Sequence, residues 1–202
     1  GAAPRIEPWT DLVSLRQLLP SLSGQIHQSL QTGLAEADSA GEPSGEAAEM
    51  LARRQISLEQ LRAAEADTTE LAWAAAQADD GDWSSMDVPG RWEDSDLGPF
   101  DGMVWFRRTV DIPDAWAGRD LELHLGPIDE VDVTWFDGAH VGTTGNYTDG
   151  VIEFWDDARL YTVPGHLVKA GRRSIAVRAI DGYGWGGLWG SDAEDMFVAP
   201  VG

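Results

Sequence analysis

The chain of 202 residues contains no cysteine, which removes disulfides, thiol nucleophiles and thiolate metal sites and leaves the compartment open. Lysine is almost missing as well. Lys169 is the single one, and the 14 basic residues stand against 35 acidic ones, for a formal net charge of −21. Such a chain repels phosphate groups, so neither nucleic acid nor an anionic membrane surface is an expected partner. No apolar run approaches membrane-spanning length, and the opening Gly-Ala-Ala-Pro does not read as a signal peptide. The four histidines, His27, His124, His140 and His166, form no i, i+4 pair and no zinc-type cluster with carboxylates, so no metal site is assigned. Asp192, Glu194 and Asp195 offer oxygens that calcium would accept, a grouping that so acidic a chain also produces without an ion. No serine stands in a G-x-S-x-G or G-D-S motif. Asp137-Gly-Ala-His140 has the D-x-x-H spacing of an esterase acid–base pair, yet a turn accounts for Asp137, so no catalytic residue is assigned. No phosphate-binding loop is present, and no cofactor is expected.

What the chain does contain changes character near residue 80. Before it, alanine, leucine, glutamate and glutamine dominate and helix start signals recur: Thr10 ahead of Asp11–Leu19, stopped by Pro20, and Ser57-Leu-Glu-Gln60 in capping-box spacing. Two or three helices are expected there, with Ala35–Gly45 between them as an acidic, mobile loop. After it come short β-type runs at intervals of about ten residues, as in a sandwich or barrel. They are Met103–Val110, Leu121–Leu125, Val131–Phe136, Val151–Trp155, Leu160–Val163, Ser174–Ile180 and Met196–Val198. Leu121, Leu123 and Leu125 alternate with Glu122 and His124, the pattern of an antiparallel layer with one dry and one wet face. Asp137-Gly138, followed by Ala139–Val141, carries the signal of a two-residue hairpin turn.

Asp181-Gly-Tyr-Gly-Trp-Gly-Gly-Leu-Trp-Gly190 threads five glycines through one tyrosine and two tryptophans. Rings on a permissive backbone suit contact with the apolar face of a sugar; they also suit a cap over a β core. The candidate sugar-contacting residues are Trp185 and Trp189 on glycine hinges, with Tyr183, Trp155 and Tyr147 as neighbours and Asp181 and Asp192 as polar support. Trp83, Trp92, Trp105 and Trp135 sit in strand or turn positions and are expected in the core.

Several stretches carry a family resemblance: Trp83–Glu93, Phe100–Arg108, Leu125–Glu130, Trp135–Gly142, Leu167–Arg178 and Glu194–Met196. In order, from about Asp79 to Val198, they resemble the sugar-binding-type jelly roll inserted in sialate O-acetylesterase-like carbohydrate esterases, and more distantly the N-terminal sandwich of β-galactosidase-type glycosidases. The resemblance implies a mainly β fold, a jelly-roll β-sandwich of galactose-binding-domain type over residues 79–202, preceded by an α-helical segment over residues 1–78. That segment would belong to a split SGNH hydrolase domain, since Arg5–Thr10 resembles the stretch after the oxyanion-hole glycine of such enzymes. Ala2-Ala3-Pro4 replaces the usual glycine pair, and neither nucleophile nor acid–base pair is present, so the chain reads as an internal piece. The implied function is that of the accessory sugar-binding-type portion of a carbohydrate O-acetylesterase, with a carbohydrate, such as an acetylated glycan, and the rest of the hydrolase as partners. A stand-alone carbohydrate-binding module remains the alternative.

Overall fold

The computed structural model describes residues 13–18, 68–98, 102–145, 154–181, 184–189 and 196–202. These form two antiparallel sheets packed face to face. The strands are β1 (Val13–Leu18), β2 (Ser84–Met86), β3 (Gly90–Arg91), β4 (Gly102–Ile112), β5 (Leu121–Asp129), β6 (Val131–Phe136), β7 (Ala139–Thr144), β8 (Ala158–Val163), β9 (Gly171–Asp181), β10 (Gly187–Leu188) and β11 (Phe197–Pro200). The larger sheet has the order β2-β1-β4-β9-β6-β7 and the smaller β11-β5-β10-β3, with β8 on the other edge of β5.

The alternation in Leu121–Leu125 holds: the three leucines are buried, and Glu122 and His124 lie on the outer face. They meet Val104, Phe106, Ile175 and Val177 of the larger sheet in the main core, with Tyr161, Val163, Leu188 and Val198 from the neighbouring strands. Trp92 is fully buried there, stacked against Phe106 at a centroid distance of 6.4 Å. The larger sheet is covered on its second face too, which explains why Met103-Val-Trp-Phe106 is continuously apolar. Trp105 stacks on Trp135 at 5.0 Å, and Trp73, just before Ala74 at the end of a 3-10 helix (Thr68–Ala74), packs edge-on against Trp83 and Trp105. Arg107 fastens this cover, donating to Asp80 at 3.2 Å and to the Trp73 carbonyl. All four tryptophans expected inside are thus buried, three of them in this second cluster.

Two expectations are corrected. Val13–Leu18, read as part of a helix, is the strand β1, paired with β2 from Val13↔Met86 and with β4 from Ser14↔Arg107 to Leu18↔Met103. The backbone groups of two flanking strands outweigh a local capping signal, and Val13-Ser-Leu-Arg16 carries a period of two that suits the strand. Residues 154 and 155, expected at the end of a strand, instead open a turn in which Asp157 N–H reaches the Phe154 carbonyl. The capping box at Ser57, the loop over residues 35–45 and the acidic residues Asp192, Glu194 and Asp195 lie outside the described residues.

The Asp137-Gly138 turn is as expected. Both residues have positive φ, 51° and 84°, and Phe136 pairs with Ala139 across it. The Asp137 carboxylate accepts from Arg173 and from the Ser174 N–H, while His140 sits 2.8 Å from the Thr143 hydroxyl. Asp137 is therefore spent on the turn and its neighbouring strand.

Candidate functional site

Glycine in the aromatic loop answers to packing before it answers to any ligand. A Cβ on Gly186 would lie 1.9 Å from the Trp92 ring, and one on Gly187, whose φ is 143°, would lie 2.4 Å from the Gly90 carbonyl oxygen. These two positions are where β10 threads between β3 and β5, with Gly187 opposite both Arg91 and Asp129. Gly184, directly before Trp185, differs from them, with a φ of 106° and open space where a Cβ would lie. The Gly186 N–H donates to Glu93 at 2.9 Å, its carbonyl accepts from Trp92 N–H at 3.0 Å, and Trp189 N–H reaches the Pro127 carbonyl at 3.3 Å. The backbone between the two tryptophans is thus hydrogen-bonded to Trp92, Glu93 and Pro127.

The rings follow from that anchoring. Trp185 projects outward with 60% of its surface exposed, and the Arg91 guanidinium lies over its ring at 3.6 Å. Trp189 is half-buried and stacks nearly parallel to Trp155, at 5.7 Å and 8°, while Trp155 remains 47% exposed. The structure therefore brings Trp155 and Trp189 together, Trp189 as the base and Trp155 as the outer ring. Tyr183 and Tyr147 lie outside the described residues.

The turn bearing Trp155 is held by a group that sequence reading missed. Arg159 is fully buried in β8 and donates from Nε to Asp132 at 2.8 Å, from Nη1 to the Phe154 carbonyl at 2.6 Å and to the Asp157 carbonyl, and from Nη2 to the Glu130 carbonyl at 2.8 Å. Asp132 also accepts from Thr134 and from the Tyr161 hydroxyl, which lies 2.7 Å from Thr144. Burial pushes the Asp132 carboxyl upward, against the pull of Arg159 and of these donors. It pushes the Tyr161 phenol up too, with the Asp132 charge adding to the effect. No local spacing marks this pair, since Asp132 and Arg159 are brought together by β6 and β8 of opposite sheets.

A second grouping lies beneath the loop. Asp181, expected as polar support for the rings, is fully buried at the end of β9. Its carboxylate lies within 4.8 Å of those of Asp129 and Glu130, both also buried. Burial, then the charge of Glu93, raises Asp129 from its ordinary 3.8 to about 7, with Arg159 pulling the other way. Among the described residues these three carboxyls are the group with oxygens placed for a hard cation.

Two concavities flank the aromatic loop. One, of about 480 Å³, runs along Arg91 with Asp87, Asp94 and Asp96 on its rim. The other, of about 600 Å³, crosses β5 where its pairing with β8 shifts between His124 and Gly126, and is lined by His124, Pro127, Asp156, Ala158, Leu160 and Phe197.

No protein-family model and no curated protein matches the chain. Solved structures do: a Bacteroides uniformis β-glucuronidase, bound covalently to a cyclophellitol-6-carboxylate aziridine, is similar at a TM-score of 0.51 and 18% identity over 67% of this chain and 16% of that one. A second Bacteroides uniformis β-glucuronidase structure is similar at 0.49 and 17% over 66% and 16%, and a Ruminococcus gnavus β-glucuronidase at 0.46 and 16% over 58% and 19%. The chain thus spans less than a fifth of the length of each of these proteins. At this identity the likeness is one of β-sandwich fold.

Proposed function

We propose that the chain is the sugar-contacting β-sandwich of a larger carbohydrate-active hydrolase, a galactose-binding-type jelly roll to which β1 and the Thr68–Ala74 segment belong together with residues 79–202, and that it contributes no catalytic residue itself. The observation that carries this reading is the Trp155–Trp189 stack: an exposed indole backed by a second, half-buried one, held by the Arg159 network. A ring in that setting presents a preformed apolar face at low entropic cost, which suits the C–H face of a pyranose. The parent suggested by the sequence resemblance is a carbohydrate O-acetylesterase. A glycosidase parent is the second reading, favoured by the fold shared with the β-glucuronidase at a TM-score of 0.51.

NMR titration of the chain with acetylated and unacetylated oligosaccharides tests the common core of both. Binding is expected in the millimolar to high-micromolar range, about −4 to −6 kcal/mol. Trp155→Ala should weaken it by about 1 kcal/mol while leaving the melting temperature nearly unchanged. Titrations without shifts in the wild-type chain would sink the reading. A preference for acetylated ligands supports the esterase parent, and indifference to acetylation supports the glycosidase.

A further inference from the structure

We infer that the groove over β5, β8 and β11 is the continuation of the Trp155 platform and takes a neutral oligosaccharide chain, not a single sugar. The inference rests on the sugar-contacting reading and extends it to ligand length and charge. Register places Leu160, His124 and Phe197 opposite one another on three neighbouring strands, so their side chains form one row across the outer face of the smaller sheet. His124 stacks on Phe197 at 4.0 Å and 19°, with Glu122 Oε2 3.3 Å from its Nε2, and Leu160 is 55% exposed on the other side. An aliphatic side chain this open, beside a ring pair, is an apolar surface without cover among the described residues.

The groove opens next to that row because β5 bulges. Its register against β8 slips between His124 and Gly126, Gly126 takes a φ of 66°, and Pro127 then faces Ala158. The depression of about 600 Å³ lies within the usual range for ligand clefts. Its Pro127–Asp156 end adjoins the tryptophan pair: Trp189 N–H binds the Pro127 carbonyl, and Asp156 follows Trp155 directly. Trp155 at one end and the Leu160–His124–Phe197 row at the other give two apolar contact points along one groove, an arrangement that suits a chain of sugars. The exposed Asp156 carboxylate offers acceptors for sugar hydroxyls. Asp156 lines the groove, Arg159 beneath it is already paired with Asp132, and the net charge is −21 over the chain, so an acidic glycan is repelled.

The test is calorimetry and NMR with neutral β-1,4-linked hexasaccharides of glucose, xylose and galactose, their monosaccharides, and hexagalacturonate. At least one neutral hexamer is expected to bind about tenfold or more tightly than its monosaccharide, and hexagalacturonate to bind more weakly still. Leu160→Asp and His124→Ala should weaken the hexamer about tenfold while leaving monosaccharide shifts at Trp155 in place, with thermal unfolding as the check that the exposed sites tolerate them. If Trp155→Ala weakens the hexamer and neither groove variant does, the groove inference falls and the platform reading stands. Equal affinity for monomer and hexamer, or preference for hexagalacturonate, also overturns it. If no sugar binds the wild-type chain at all, the platform reading fails first and takes this inference with it.

Discussion

Asp129 shows how burial converts one side chain into a pH response. Its carboxyl ionises near 7 in the fold against 3.8 ordinarily, because the interior and the Glu93 charge disfavour the anion. Between these values the native state holds a proton that the unfolded chain has lost, so the contribution of this group to stability is fully present below pH 4 and is lost as pH rises through 7. One unit of pKa corresponds to about 1.4 kcal/mol. Asp129→Asn, which cannot ionise, is expected to leave stability near pH 4 almost unchanged and to raise it at pH 8 by about 1–3 kcal/mol, measured by urea unfolding across that range. A variant less stable than the wild type at pH 8 would contradict this and would indicate that the anion itself is held by something, such as a cation. Trp185 makes the opposite point, since its exposed ring under Arg91 adds little to the core, unlike the buried Trp92.

Among the elements, the β6–β7 hairpin and the β10 segment use glycine for different reasons. At Gly138 the backbone needs a φ of 84°, and a side chain there would meet only ordinary contacts with Ala75 and Ala76. Gly138→Val should therefore destabilise the domain by about 1 kcal/mol or more through backbone strain alone, with the lower melting temperature as the readout and an unchanged one as the refutation. At Gly186 the obstacle is the Trp92 ring itself, so the requirement comes from the core and not from a turn. The β8 strand adds a third device. Its alternation of exposed and buried residues places Arg159 inward, where it ties the Trp155 turn to Asp132, and Leu160 outward, where it borders the groove. One strand thus supports both ends of the proposed sugar surface.

For the molecule as a whole, a net charge of −21 on 202 residues is a standing repulsion that the fold must outweigh. The Debye length falls from about 10 Å at 0.1 M salt to about 3 Å at 1 M, which screens charges spread over the surface while leaving the buried Arg159–Asp132 pair largely untouched. Raising sodium chloride across that range at pH 8 is expected to stabilise the chain by about 1 kcal/mol, or about 2–4 °C in Tm for a protein of this length. A fall in Tm would mean that salt-sensitive ion pairs with one exposed partner, such as Arg107–Asp80, outweigh the general repulsion.

The β character, the outer and inner faces of β5, the Asp137-Gly138 hairpin and the burial of Trp83, Trp92, Trp105 and Trp135 were all legible in the sequence. Each depends on a short-range period or on the φ tolerance of one or two residues, and such constraints act along the chain. At Val13–Leu18 a helix-capping signal and a two-residue period compete locally, and the partners that decide for the strand, β2 and β4, lie about 70 or more residues away. The Trp155–Trp189 stack, the Arg159–Asp132 tie and the carboxyls of Asp129, Glu130 and Asp181 likewise join residues from separate strands. Composition supplied the rings, arginines and acids for these groupings. Which ring backs which, and which acid turns inward, was decided by how two twisted sheets close on one another, a condition no local stretch of the chain contains.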